Sequence, residues 1–205
     1  FMNATITNSF VESEDGIKVI YFINEGASTV ISEVRFEGNV VVSDKTLKGK
    51  ISSKEVGFLK DGAFQKTAIE ADKQAIINYY MTRGYIDARI VDVLQDSYFN
   101  AEKERTEVII TFIIQEGAQY TFNGLTITGN EIFTTEKLES FMKLKKGAVF
   151  NQAKFQEGIS GITNLYYENG YMDNQFYPTV NKNPERKTIA YELAIQERSR
   201  SHIEN

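Results

Sequence analysis

One junction constrains this chain more than any other feature: Asn78-Tyr79-Tyr80-Met81-Thr82-Arg83-Gly84-Tyr85-Ile86-Asp87-Ala88-Arg89-Ile90. It returns 86 residues later as Asn164-Leu165-Tyr166-Tyr167-Glu168-Asn169-Gly170-Tyr171-Met172-Asp173-Asn174-Gln175-Phe176, with Gly170 answering Gly84. Its tail also stands at the start, where Phe1-Met2-Asn3-Ala4-Thr5-Ile6 is in step with Tyr85 to Ile90. Each copy reads as the end of an amphipathic helix, then glycine, then an extended run. Glycine closes a helix well because, lacking Cβ, it enters the left-handed region without a clash. A junction met three times predicts a tandem repeat.

The rest of the chain parses in that frame. A first complete unit is expected at 27–117 and a second at 118–197. In the first, Val34 and Phe36 form a strand stopped by Gly38-Asn39, and Ser43 N-caps a short helix to about Ile51. A longer helix begins near Lys66 and carries Ile69, Lys73, Ile76 and Tyr80 along one stripe. A strand then runs from Tyr85 to about Val93, followed by a charged loop through Glu102-Lys103-Glu104-Arg105. Val108, Ile110, Phe112 and Ile114 close the unit, and apolar Ile109 and Ile113 on the other face mark a central strand. The second unit repeats the plan: Leu125 and Ile127, Gly129-Asn130, Thr134, then the stripe Phe155, Ile159, Ile162 and Tyr166. Its closing strand is Ile189, Tyr191, Leu193 and Ile195, with Pro178 and Pro184 flanking the hairpin loop.

Residues 1–26 read as the closing hairpin of a truncated unit, with Ile17, Val19, Tyr21 and Ile23 as its buried face. Residues 198–205 read as the start of a following one. The first unit carries five extra residues in or near Lys54 to Lys60. With Val56, Phe58 and Leu59, that connection is either tucked into its own domain or a partner-contact loop. The fold class is therefore α+β: tandem two-layer modules, each β-α-α-β-β, with a three-stranded mixed sheet and two helices on one face.

Composition narrows function mainly by exclusion. With 23 basic and 28 acidic residues, net −5, the chain is a poor nucleic-acid or anionic-lipid binder. It has no cysteine, hence no disulfide or thiolate site, and no apolar run near the roughly 20 residues of a membrane helix. The single histidine, His202, has no nucleophile partner in the pattern, so no catalytic residue, metal or cofactor is expected. Asp87 and Asp173 recur after Gly-Tyr and are read as local turn acceptors. Gly158 and Gly161 are read as helix-packing glycines, and Lys143 to Lys146 as a solvated loop.

The ordered motifs resemble those of POTRA (polypeptide-transport-associated) domains. Phe36-Glu37-Gly38-Asn39 and Ile127-Thr128-Gly129-Asn130 are similar to the family's first-strand ending. Gly84-Tyr85 and Gly170-Tyr171 are similar to its second-helix ending. Ile23-Asn24-Glu25-Gly26 and Ile114-Gln115-Glu116-Gly117 are similar to its third-strand ending, and Gln196-Glu197-Arg198 departs by lacking the glycine. The resemblance implies a periplasmic scaffold of an outer-membrane barrel assembly protein that leads into a membrane barrel. Its partners would be unfolded outer-membrane β-barrel precursors and assembly-complex lipoproteins. It also implies that the third strand is central and the second an edge. Polypeptide capture is then expected on the post-glycine strands, at Arg89, Ile90, Val91, Asp92 and Val93 and at Asn174, Gln175, Phe176 and Tyr177. The alternatives are the POTRA region of a two-partner secretion transporter, or an envelope structural or adhesion array.

Overall fold

The computed structural model describes residues 5–13, 16–24, 28–57 and 62–200. Phe58, Leu59, the Glu25-Gly26 pair and the segment holding His202 lie outside them. The described chain forms two compact units: residues to Ile76 with Ile90–Gln115, and Ile77–Arg89 with the residues from Glu116 onward.

The chain opens with an antiparallel hairpin of β1 (Thr5–Ser13) and β2 (Gly16–Asn24). Its expected buried face is not buried. Ile17 and Tyr21 are 67% and 63% exposed, because no other element covers the hairpin among the described residues.

Next come β3 (Thr29–Glu37), α1 (Asp44–Lys48), α2 (Lys66–Met81), β4 (Arg89–Asn100) and β5 (Arg105–Gln115), with sheet order β3-β5-β4. The order β6-β8-β7 repeats it with β6 (Thr121–Thr128), α3 (Thr135–Glu139), α4 (Gln152–Glu168), β7 (Gln175–Asn183) and β8 (Thr188–Gln196). The first strand pairs in parallel with the third in both sheets, and β7 pairs antiparallel with β8. Each sheet is thus mixed, with its third strand central. Both first strands carry a one-residue irregularity at equivalent places, Ser32 and Asn123.

Local chemistry sets the boundaries. Ser43 and Thr134 cap the short helices by accepting from the N–H of Thr46 and Lys137. Helix α1 ends three residues short of the expected Ile51. After each first strand the chain turns at Gly38 (φ 83°) and Gly129 (φ 76°), where a Cβ would stand 2.1 Å and 2.2 Å from the carbonyl oxygens of Ile114 and Ile195. Asn39 and Asn130 then donate to the carbonyls of Val42 and Phe133, bracing the turn that feeds the helix.

The helix stripes face the cores. Ile69, Ile76 and Tyr80 are buried along α2, as are Phe155, Ile162 and Tyr166 along α4. At Lys73 the first stripe is filled by an amphipathic side chain that pairs with Glu70 at 3.0 Å. In the second unit Phe155 stacks on Tyr191, while Leu138, Ile162 and Leu193 join Tyr166 in the adjoining cluster. Full burial of each such side chain stabilises by about 1.5–3 kcal/mol. Gly158 and Gly161 do allow close packing, since their absent Cβ atoms would meet Met142 and Phe141.

Two strand readings are corrected. The strand after Gly84 begins at Arg89, not Tyr85, because Tyr85–Ala88 completes the helix-ending turn. Pro178 does not flank the hairpin loop but lies inside β7, which continues to Asn183 with Pro178 opposite Leu193. Proline is accommodated on an edge strand where its missing N–H points away from the ladder.

Gly129→Ala is expected to destabilise the second unit by more than about 2 kcal/mol, since strain at positive φ adds to the clash with Ile195. Gly147→Ala, also at positive φ but with nothing within 4 Å of the new Cβ, should cost only about 1 kcal/mol. Urea denaturation of the two variants checks the difference.

Candidate functional site

The site is built from the junction that opens each edge strand. At the end of α2, Tyr85 N–H donates to the Tyr80 carbonyl (3.1 Å) and Gly84 N–H to that of Met81 (3.4 Å). At the end of α4, Tyr171 and Gly170 donate equivalently to Tyr166 and Tyr167. Both glycines have positive φ, 84° and 86°. These paired bonds are a Schellman motif, and its usual apolar contact is present as Tyr80–Tyr85 and Tyr166–Tyr171 edge-to-face pairs.

The tyrosine preceding each turn has a second task. Tyr80 donates its hydroxyl to Glu116 at 2.7 Å, and Tyr166 donates to Glu197 at 2.7 Å. Burial, reinforced by the adjacent carboxylate, pushes both phenols well above the ordinary tyrosine range. Glu197 also accepts from the N–H groups of Glu131 and Ile132, just past the Gly129-Asn130 turn. The motif residues Gly38, Asn39, Gly84, Tyr85, Gly129, Asn130, Gly170 and Tyr171 are thus mechanical parts that fix where the edge strand starts. The Tyr–Glu bond was not foreseen, although its signal was present: Tyr80 and Glu116 recur as Tyr166 and Glu197.

On the edges themselves, β4 presents Val91 (58% exposed), Leu94, Tyr98 and Phe99 (61% exposed). Between its first half and α2 lies a groove of about 250 Å3 lined by Ile69, Lys73, Ile90, Val91, Asp92 and Val93. The predicted residues Ile90 to Val93 therefore come together beside a helix, with Arg89 at the strand's first position. On β7, Gln175, Phe176 and Tyr177 open the strand, whereas Asn174 does not belong to it. Asn174 is buried (5% exposed), and its Oδ1 accepts from the Arg198 N–H at 2.6 Å. The far half of β4 is pinned by Glu107 on β5, which accepts from Tyr98 Oη at 2.6 Å, from Arg105 and from Lys103. Those bonds, Tyr98 first, hold the Glu107 carboxyl far below its usual value of 4.5, at about 2.

The opposite edge of the first sheet is covered. Ile31 N–H donates to the Gly62 carbonyl and Val56 N–H to that of Ile31. Of the contact-loop residues, Val56 is thus half-buried and tied to β3 through its backbone. In the second unit Phe122 and the adjacent Gly147-Ala148 make the same two bonds, so the five extra residues lie between Val56 and Gly62. Glu55, beside that loop, accepts from Val34 N–H (2.8 Å) and Lys48 (2.7 Å), which hold its carboxyl low against the opposing effect of burial.

Asp87 is not a local turn acceptor. It accepts from the Tyr120 hydroxyl at 3.1 Å and pairs with Lys182 at 2.7 Å, and the Lys182 bond draws its carboxyl below the usual range. Asp173, its counterpart in the repeat, is exposed and makes neither contact. Among the described residues no three His, Cys, Asp or Glu side chains are grouped to hold a metal ion.

Two three-stranded mixed sheets of the same order, each with an edge strand preceded by the same helix-ending junction, define a tandem array of small two-layer modules. The POTRA family profile, described as a surface antigen variable number repeat, matches residues 29–117 and again 120–198, and the chain belongs to that family. It is of the BamA type. A Treponema pallidum (strain Nichols) protein named as a candidate outer membrane protein assembly factor is 38% identical over 93% of this chain. The outer membrane protein assembly factor BamA of Neisseria meningitidis serogroup B is 28% identical over 85% of it. The chain spans 23% and 22% of those two proteins. The crystal structure of Haemophilus influenzae BamA POTRA3-5 superposes with a TM-score of 0.64 at 25% identity, covering 86% of this chain and 69% of that one.

Acidification should loosen the β4–β5 hairpin. Because the Glu107 carboxyl is depressed in the folded state, its stabilising contribution is complete above about pH 4.5 and is lost as pH falls toward about 2. Glu107→Gln removes that contribution, so its unfolding midpoint should fall less steeply than that of wild type between pH 4.5 and 2.5. Urea titrations at stepped pH measure this.

Proposed function

We propose that the chain is a non-enzymatic periplasmic scaffold, part of a longer outer-membrane protein, that receives unfolded β-barrel precursors by strand addition along β4. The modules in this reading span 27–117 and 118–197, and the connection holding Val56, Phe58 and Leu59 offers a docking point for accessory lipoproteins. One observation carries the reading. The edge strand β4 runs for twelve residues, its first half beside a helix-walled groove, and exposes the apolar side chains of Val91, Leu94, Tyr98 and Phe99. An edge strand offers unpaired N–H and C=O groups that another chain can match whatever its sequence. The BamA-type relatives, named for outer membrane protein assembly, support the choice of substrate class.

The energetics suit transient holding. Each added main-chain bond contributes roughly 0.5–1.5 kcal/mol net. A few such bonds give a Kd on the order of 0.1–1 mM, weak enough for release to a next acceptor.

The repeat supplies its own test. Pro178 occupies the β7 position equivalent to Asp92, counted from the strand starts Gln175 and Arg89. Asp92→Pro should therefore bring to β4 the proline that β7 carries on its edge, a place where β7 keeps its ladder, and Pro178→Asp should remove it from β7. In an NMR titration with an extended barrel-derived peptide, wild-type shifts should centre on residues 90–95 with Ile69 and Lys73. Asp92→Pro should weaken binding at least about tenfold, and Pro178→Asp should add shifts along β7. Shifts centred elsewhere, or an Asp92→Pro variant that binds as wild type does, would overturn the reading.

A further inference from the structure

Both modules cover the start of their first strand with the same backbone bonds from the loop before the long helix, and they differ further along that edge, at Val34 and Leu125. In the first unit Glu55 is the acceptor that satisfies the outward N–H of Val34, and Lys48 holds it there. The matching register, Val34 opposite Ile110 and Leu125 opposite Tyr191, makes Leu125 the counterpart of Val34. The shared spacing makes Glu139 the counterpart of Lys48 and Lys146 the counterpart of Glu55. The charges are exchanged. A lysine ammonium has donors only, so Lys146 cannot do for Leu125 what Glu55 does for Val34. The shared register turns the Leu125 N–H outward as it does that of Val34, and among the described residues Glu139 and Lys146 form no ion pair. In the place that the Glu55 carboxylate fills in the first unit, the second has a groove of about 530 Å3 lined by Asn123, Gly124, Leu125, Glu139, Met142 and Lys146. That volume falls within the roughly 300–1,000 Å3 of ligand-binding clefts.

We infer that this groove is a second polypeptide site, in which an extended segment of another protein pairs with the outer edge of β6 at Leu125. The segment supplies a carbonyl to the Leu125 N–H, a basic side chain to Glu139 and an acidic one to Lys146. The first unit gives the precedent for the geometry, because there the chain's own Glu55 carboxylate meets the outward N–H of Val34 and closes the edge at that point. Charge complementarity fixes the occupant. A lone carboxylate such as Glu55 would face Glu139, whereas an extended segment of mixed charge offers an opposite charge to each of these two exposed groups. The site does not depend on capture at β4, which lies on a different strand of a different module.

The test uses the whole chain and an end-capped six-residue peptide of valines alternating with polar residues, one Lys and one Glu among them. An N-methylated copy, unable to pair through its backbone, is the control. NMR shifts at Leu125, Thr126 and Ala190 with the first peptide, absent with the second, are expected. The double variant Glu139→Lys with Lys146→Glu copies the first unit's arrangement and should close the edge, weakening binding at least about tenfold. Asp92→Pro should leave this binding unchanged, so that failure here and failure at β4 are told apart. Equal binding of the two peptides, or an unaltered double variant that circular dichroism shows to be folded, would overturn the proposal. Shifts that depend on protein concentration without peptide would also overturn it, by giving the edge to a second copy of the chain. If the double variant does not fold, the location of the wild-type shifts alone decides.

Discussion

A hydrogen bond between a tyrosine at the end of a long helix and a glutamate at the end of a central strand holds each module to its working shape. Tyr80 with Glu116 and Tyr166 with Glu197 are each 2.7 Å apart. A bond to an ionised group contributes about 1.5–3 kcal/mol, and leaving a buried carboxylate unmet would cost at least as much. Placement matters beyond that energy. The same tyrosine contributes the carbonyl that the Gly-Tyr turn needs, so the helix end, the strand end and the start of the edge strand are fixed together. In the second module Glu197 adds the N–H groups after Gly129-Asn130, joining the first-strand turn to the same point. Three motifs far apart in sequence are therefore one mechanical assembly.

That assembly explains which parts of the fold were legible. The helix stripes were readable because burial repeats at helical spacing, and the central strands because both of their faces are apolar. The start of β4 was misread for a physical reason. Tyr85, Ile86 and Ala88 look like the opening of a strand, but Tyr85 is spent on closing the helix and packing on Tyr80. Pro178 misled in the opposite sense, since proline is harmful in a strand only where its N–H is needed. The hairpin of β1 and β2 shows the limit of alternation, which marks a face fit for burial without supplying the element that buries it.

Site residues were less legible because their roles depend on what faces them. Asn174 follows the same glycine turn as its strand neighbours, yet it is drawn inward by the Arg198 N–H. Asp87 and Asp173 occupy equivalent positions in the repeat, but only Asp87 meets Tyr120 and Lys182. Repetition reports the shared scaffold faithfully and is silent about divergence in contacts. The grooves along β4 and β6 belong to the same class of information, because each is bounded by residues from elements distant in sequence.

Divergence between the copies is where selectivity can arise in an otherwise generic fold. Main-chain pairing at an edge accepts almost any extended segment, so discrimination must come from which edges are open and what flanks them. A three-stranded sheet has two edges, and each must be paired, covered or blunted if the protein is to stay apart from its neighbours. Both modules cover the start of their first strand with the loop before the long helix, and the first adds the Glu55 carboxylate at Val34. The second places a proline in the β7 edge and carries the reversed charge pair beside β6. One proline, one charge exchange and a five-residue difference in a loop change what flanks the edges without touching either core. In the proposed reading, a scaffold built this way holds its modules to one stable architecture while each offers a different strand to an incoming polypeptide.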